Sequence, residues 1–388
     1  MEGIKMVDFN TELIHGAEVN DNNTGAVNPP IYNSSTFAFD DVTVPIKWDY
    51  ARSGNPTREA LEELIKKLES GYKGFGFSSG LSAIHGVLSI FEPGDHLVVG
   101  DTVYGGTFSQ LNDYFKRWGL EITAVNTQNL NEVKQAIKEN TKAIYFETFS
   151  NPLLRVTDVA AISQIAKENH ILEIVDNTLL TPYLQQPLKL GADIVIHSAT
   201  KYLGGHSDLI AGLVVVNNEQ LAKKIYFSQN RLGGTLSPET SNLVRRGIQT
   251  LAVRLDRQIE NTNKIIAYLK ENDLVAKINY PSVNKDSKDY EIALRTTNGF
   301  GAVLSFEIKA GYDAIKLVNS LKLFKIAVSL GAVESLVELP ATMTHFEIPR
   351  NQRLKIGIKD ELIRIAVGLE SADDLINDLK QAFVKIQK

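Results

Sequence analysis

From about Gly74 to Val216, short apolar runs alternate with amphipathic segments, and this alternation constrains the fold more than any other feature of the chain. The runs are His96–Gly100, Ile122–Asn126, Ala143–Glu147, Leu172–Asp176, Asp193–His197 and Leu213–Val216; helical patterns such as Phe108–Trp118, Leu130–Glu139 and Val159–Asn169 lie between several of them. Runs without polar alternation belong to strands covered on both faces, so the pattern predicts an α/β fold with a mostly parallel sheet between helices. Ligands of such sheets bind beyond the carboxyl ends of the strands, which directs attention to the residues following each run.

The pattern changes after Leu236–Leu269, which reads as broken or kinked helix. Val275–Tyr280, Ala302–Ile308, Ile326–Leu330 and Leu362–Val367 read as strands, with helices near Tyr312–Leu321 and Ala372–Ile386, a pattern that fits a smaller α+β domain. A length of 388 residues suits two packed domains. The opening segment holds Gly25, Pro29, Pro30 and Pro45 without a helical period and reads as an extended arm. The expected division is an arm over 1–57, a large domain over 58–250 and a small domain over 251–388. Thr57 reads as the N-cap of a helix with Leu61, Leu64, Ile65 and Leu68 on one face. Glu62–Lys66 and Glu63–Lys67 read as its i,i+4 pairs, and Gly71 as its stop.

Composition narrows the chemistry. The chain has no cysteine, which excludes disulfides, thiolate nucleophiles and cysteine-bound zinc. Its net charge of −5 and the lack of any basic block argue against nucleic acid. No stretch approaches the roughly 20 apolar residues of a membrane helix, and Met1 to Asn10 has no apolar core, so the chain reads as soluble and cytoplasmic. The histidines show no metal-ligand spacing, and no metal site is expected.

Several strand ends carry candidate chemistry. Asp193-Ile-Val-Ile-His-Ser-Ala-Thr-Lys201 is a buried strand that ends in a lysine. A partly desolvated amine there suits Schiff-base formation, while a lysine snorkelling to solvent reads equally well from this strand alone. Asp176 ends another apolar strand, where it would suit a pyridinium nitrogen, although an aspartate at such a place is more often a cap or turn residue. Phe77-Ser-Ser-Gly80-Leu81-Ser82 leads into a helix whose first N–H groups can hold a phosphate, and Tyr104 follows a further run, placed either to stack on a ring or to pack in the core. Tyr50 and Arg52, in Tyr50-Ala-Arg-Ser-Gly-Asn-Pro-Thr57, suit phosphate oxygens. Arg364 lies inside the apolar run Leu362–Val367, where it requires either a bound carboxylate or a structural ion pair.

Together these segments resemble the Cys/Met-metabolism family of pyridoxal-phosphate enzymes, the cystathionine β-lyase, γ-lyase and γ-synthase group, almost end to end. The most specific motifs are Tyr50–Thr57, Val103-Tyr-Gly-Gly-Thr107, Asp176-Asn-Thr178, Ser198-Ala-Thr-Lys-Tyr-Leu-Gly-Gly-His-Ser-Asp208 and Ser329-Leu-Gly-Ala-Val-Glu-Ser335. The resemblance implies the type I fold of pyridoxal-phosphate transferases, with a seven-stranded type of sheet. It implies that Lys201 carries the cofactor as a Schiff base and acts as the catalytic base, that Asp176 pairs with the pyridine nitrogen, and that Tyr104 stacks on the ring. Gly80, Leu81, Ser198 and Thr200 would hold the phosphate; Tyr50 and Arg52 would reach the phosphate of a neighbouring subunit. Asn151, Ser329 and Arg364 would orient the cofactor hydroxyl and the substrate carboxylate, with Tyr50 and Tyr104 also against the substrate. A homodimer with shared sites, paired into a homotetramer, is the implied assembly.

The departures bear on the substrate. Methionine γ-lyases of this group carry a cysteine where Gly106 stands. Val328 occupies a position that is often glutamate in the cystathionine γ-enzymes and apolar or aromatic in the β-lyases, while Asp49 before Tyr50 is common among γ-enzymes. Phe149 stands where proline is usual. The reading reached is a carbon–sulfur lyase that cleaves cystathionine to homocysteine, pyruvate and ammonia; the alternatives are γ-elimination, γ-replacement, and a non-catalytic protein that keeps the fold.

Overall fold

The computed structural model describes residues 7–17, 21, 24–346 and 348–387. The remainder of the expected arm, including residues 1–6, lies outside the described residues.

Seven strands form the larger sheet: β1 (Lys73–Phe77), β2 (His96–Gly100), β3 (Glu121–Val125), β4 (Thr141–Glu147), β5 (Leu172–Asp176), β6 (Ile194–Ser198) and β7 (Gly212–Val216). Their order is β1-β7-β6-β5-β4-β2-β3. Only β7 runs against its neighbours, so the sheet is mostly parallel, in agreement with the apolar runs. Alternate residues face two separate cores. Phe75, Leu97, Tyr145, Ile174 and Ile196 pack on one side, and Val98, Ile144, Phe146, Val175 and Val195 on the other.

Five strands form the second sheet: β8 (Val275–Asn279), β9 (Val303–Ile308), β10 (Lys325–Ile326), β11 (Leu336–Glu338) and β12 (Leu362–Ala366), in the order β10-β11-β12-β9-β8. Leu304 and Phe306 of β9 and Ile363 and Ile365 of β12 supply the apolar side chains of its buried face. They pack with Ile265 and Leu269 of the Leu251–Lys270 helix and with Leu375, Leu379 and Phe383 of the Ala372–Ile386 helix.

Several local expectations require correction. The opening segment is not extended throughout: α1 (Phe9–His15) forms where Asp8 accepts from the Asn10 N–H, and it buries Leu13. Seven residues are too few to reveal a helical period. The helix α2 (Pro56–Leu68) is capped by Asn55 rather than Thr57, with Pro56 in the first turn; the Thr57 hydroxyl instead accepts from the Tyr32 N–H at 2.9 Å. Neither expected i,i+4 pair forms. Glu62 turns inward to accept from the Gly76 N–H at 2.8 Å and lies 3.4 Å from Arg58, while Lys66 pairs with Glu63 at 2.7 Å and Lys67 with Glu12 at 3.7 Å. The helix ends before Gly71, with Ser70 at a φ of 58°. The Phe108–Trp118 helix is broken into three short pieces, and the expected strand Ile326–Leu330 is ordered as a strand only at Lys325–Ile326. The rest of that segment turns into a loop that carries Val328 and Ser329 to the site.

Candidate active site

The ends of β4, β5 and β6 open onto a cavity of ≈ 410 Å³. Lys201 follows β6 and lies largely shielded inside it. Its Nζ donates to Ser329 Oγ at 2.8 Å. Burial, and then the nearby positive charge of Arg364, push the amine down to about 8, with Glu338 opposing. Ser329 has a φ of 90°, a left-handed conformation that a serine adopts only when its surroundings hold it there. Those surroundings include Arg364, whose Nη2 donates to the Ser329 carbonyl at 2.6 Å.

Asp176 closes the opposite end. Its Oδ1 accepts from the Thr178 N–H at 3.0 Å and from the Thr178 hydroxyl at 2.6 Å. Burial pushes its carboxyl up, opposed by these bonds and by the charge of His197. Glu147 stands beside it in register on β4 and also lines the cavity. Burial, reinforced by Asp176, pushes the Glu147 carboxyl well above the usual range, with the N–H groups of Tyr104 and Asn151 opposing. Two buried carboxyls this close favour one proton between them. The Tyr104 N–H donates to Glu147 Oε1 at 2.5 Å, which fixes where the half-exposed Tyr104 ring enters the cavity.

The anion cradle lies between α3 (Gly80–Leu88) and the end of β6. Ser79 caps α3 by accepting from the Ser82 N–H, and the N–H groups of Gly80 and Leu81 precede any carbonyl within the helix that could receive them. A Cβ at Gly80 would lie 3.0 Å from Ser198 Oγ, so glycine permits this close approach. The Thr200 hydroxyl lines the cavity while exchanging bonds with Ala211. A Cβ at Gly106 would lie 2.6 Å from the Tyr104 ring, so a larger residue there would displace that ring.

The cavity thus brings together Gly80, Leu81, Tyr104, Asn151, Asp176, Ser198, Thr200, Lys201, Ser329 and Arg364. It does not bring in Tyr50 and Arg52 of the same chain. Tyr50 is exposed, and the Arg52 guanidinium lies over its ring at 5.3 Å while donating to Asn230 at 3.1 Å. Glu147, Glu338 and Thr344 are not among the residues that the sequence singles out, and Thr178 appears there only inside a motif, with no role assigned. Glu147 and Thr178 end or follow apolar runs and are within reach of the strand-end rule. Glu338 is not, because it matters through β11, a strand of only three residues.

The family model described as Cys/Met metabolism PLP-dependent enzyme matches residues 10–384. The chain is 50% identical to the cystathionine beta-lyase of Lactococcus lactis subsp. cremoris (strain MG1363), covering 98% of this chain and 100% of that protein. It is 48% identical to the cystathionine gamma-lyase of Bacillus subtilis (strain 168), over 97% of this chain and 99% of its relative. Among solved structures, cystathionine gamma-lyase from Lactobacillus plantarum complexed with L-serine superimposes with a TM-score of 0.96 at 49% identity, covering 98% of this chain and 100% of the other.

Proposed function

The chain belongs to the Cys/Met-metabolism PLP-dependent enzymes, and within that family we propose that it is a carbon–sulfur lyase that cleaves cystathionine on the β side, releasing homocysteine, pyruvate and ammonia. The observation that carries the reading is the convergence on Ser329, whose hydroxyl holds the Lys201 amine at 2.8 Å and whose carbonyl holds Arg364 at 2.6 Å. A base and a carboxylate receptor meeting at one residue suit a substrate with a carboxylate and a removable proton on the same carbon.

The cavity residues fit pyridoxal phosphate. The N-terminal turn of α3 and the Ser198 hydroxyl form a phosphate cradle, Asp176 provides a buried carboxyl group for a ring nitrogen, and Lys201 provides the amine for a carbonyl carbon. When bound, the cofactor supplies an electron sink for a substrate carbanion. The protein does the rest. Lys201 would hold the cofactor covalently and, once the substrate amine has displaced it, would be free to take the proton from the substrate Cα; Asp176 would face the ring nitrogen and Tyr104 the ring. Gly80, Leu81, Ser198 and Thr200 would hold the phosphate. Asn151 would orient the cofactor hydroxyl and Arg364 would bind the substrate carboxylate, with Ser329 between it and the base. Tyr50 and Arg52 act on the neighbouring subunit's site, a role supported by their position outside their own cavity. That sharing calls for a homodimer; pairing of such dimers into a homotetramer, and a place in the cytoplasm, belong to the same proposal. Among the described residues no helix is long and apolar enough to cross a membrane.

The β-selectivity rests on Val328, an apolar side chain that lines the cavity beside Ser329. A second reading, γ-elimination or γ-replacement, is favoured by Asp49 and by the similarity to proteins named cystathionine gamma-lyase. Incubating purified enzyme with cystathionine and identifying the keto acid separates them. Pyruvate is expected; predominant 2-oxobutyrate would replace the β reading with the γ reading, and a requirement for an activated homoserine ester would indicate replacement.

A further inference from the structure

Arg364 enters the cavity already paired. It stands directly across the β11–β12 ladder from Glu338, and its Nη1 lies 3.1 Å from Glu338 Oε1. The two side chains are 1% and 0% exposed. Thr344, which lines the cavity, donates its hydroxyl to the same Glu338 oxygen at 3.0 Å. Arg364 also lies 3.5 Å from Asn151 Oδ1 and donates to the Ser329 carbonyl. Its Nε and the Glu338 Oε2 are buried without a hydrogen-bond partner among the described residues.

This arrangement has two consequences for a third charge entering the cavity. A guanidinium alone in so dry a place would be costly before substrate arrives, and pairing with Glu338 offsets part of that cost. The same carboxylate repels any other carboxylate drawn to Arg364, because both compete for one positive charge at short range. Substrate and keto-acid product each carry a carboxylate on the carbon that was or becomes the reacting centre. A grip shared equally by both would slow release without assisting the chemical step.

We infer that Glu338 is a positioning residue that holds Arg364 in place when no substrate is bound and limits how tightly the site grips an α-carboxylate. This rests on the reading of Arg364 as the carboxylate receptor. It assigns to a residue outside the cavity lining a direct influence on substrate affinity and product release.

The test uses the cofactor-loaded enzyme and propionate, a carboxylate with no amine to react. Propionate affinity is read from its effect on the thermal midpoint, and KM and kcat are measured alongside. Glu338→Gln keeps the shape and removes the charge. It should bind propionate about fivefold or more tightly than wild type, with KM and kcat both reduced. It should be destabilised without ligand and regain stability as propionate saturates. Glu338→Asp, which retains a charge farther from Arg364, should fall between the two. Unchanged or weaker propionate binding by Glu338→Gln overturns the inference, as does a Glu338→Gln protein that stays unfolded in saturating propionate. Arg364→Met separates the two claims: if propionate stabilises it as well as wild type, the carboxylate role of Arg364 itself is wrong. If that response is lost but Glu338→Gln gains nothing, only the role of Glu338 fails.

Discussion

Asp176, Ser198 and Lys201 reach the cavity from the ends of two adjacent parallel strands, whereas Arg364 and Ser329 reach it from the second sheet and the loop beside it. On the first wall Asp176 and the turn at Gly80 are held locally, while the Lys201 amine reaches across to Ser329. Thr178 binds the Asp176 carboxylate from two residues away, and Ser79 caps the turn that carries Gly80. On the second wall the groups hold one another across the chain, Arg364 through Glu338, Asn151 and the Ser329 carbonyl. A locally built wall suits an invariant ligand that stays in place. A wall built from a network of pairs can change its affinity through any member, which suits a substrate that must also leave as product.

The comparison can be broken first at Lys201. Lys201→Ala should lower turnover by 10²-fold at the least, roughly 10²–10⁴ for loss of the general base alone, and should remove the visible band of the lysine–cofactor Schiff base. An absorbing, active variant would show that another amine does this work. Asp176→Asn should lower kcat on the order of 10²-fold while changing KM much less, since a neutral amide does not hold the ring-nitrogen proton. A similar loss in KM alone would move Asp176 to the substrate-binding wall.

Arg364→Lys tests the second wall and should raise KM roughly tenfold with a smaller change in kcat, because an ammonium cannot keep the Glu338, Ser329 and substrate contacts of a planar guanidinium together. A purely catalytic defect would contradict the division. A further expected effect concerns pH. With the Lys201 amine pushed down to about 8, the neutral form that captures the cofactor should grow as pH rises toward that value. The rate of cofactor reloading into stripped protein should therefore climb about tenfold per pH unit below pH 8 and level off above it. A rate still climbing steeply at higher pH would mean the amine titrates as an ordinary exposed lysine.

The two walls also differ in how readily the sequence reveals them. The apolar run Leu172–Asp176 matches its strand to the residue and the run before Lys201 matches to within one, because a buried parallel strand is a continuous apolar run and its polar end is conspicuous. Lys201 and Asp176 gain their roles from the order of several motifs, since either residue alone has an ordinary alternative. The second wall is only partly legible. Arg364 is conspicuous in its apolar run, but its partner depends on the β11–β12 register, and three residues of strand leave no periodic signal. Glu62 misleads for a related reason. Its spacing from Lys66 suggests a surface pair, while tertiary packing turns it toward the Gly76 N–H. Tyr50 and Arg52 lie away from their own cavity.

The central claim is that the locally built wall anchors the cofactor at Lys201. Reducing the cofactor-loaded enzyme with borohydride freezes the lysine–cofactor bond, and mass spectrometry of the peptides then locates it. The account predicts a single phosphopyridoxyl modification on the peptide containing Lys201. The same modification on a different lysine, or a loaded and active enzyme with none, would contradict it.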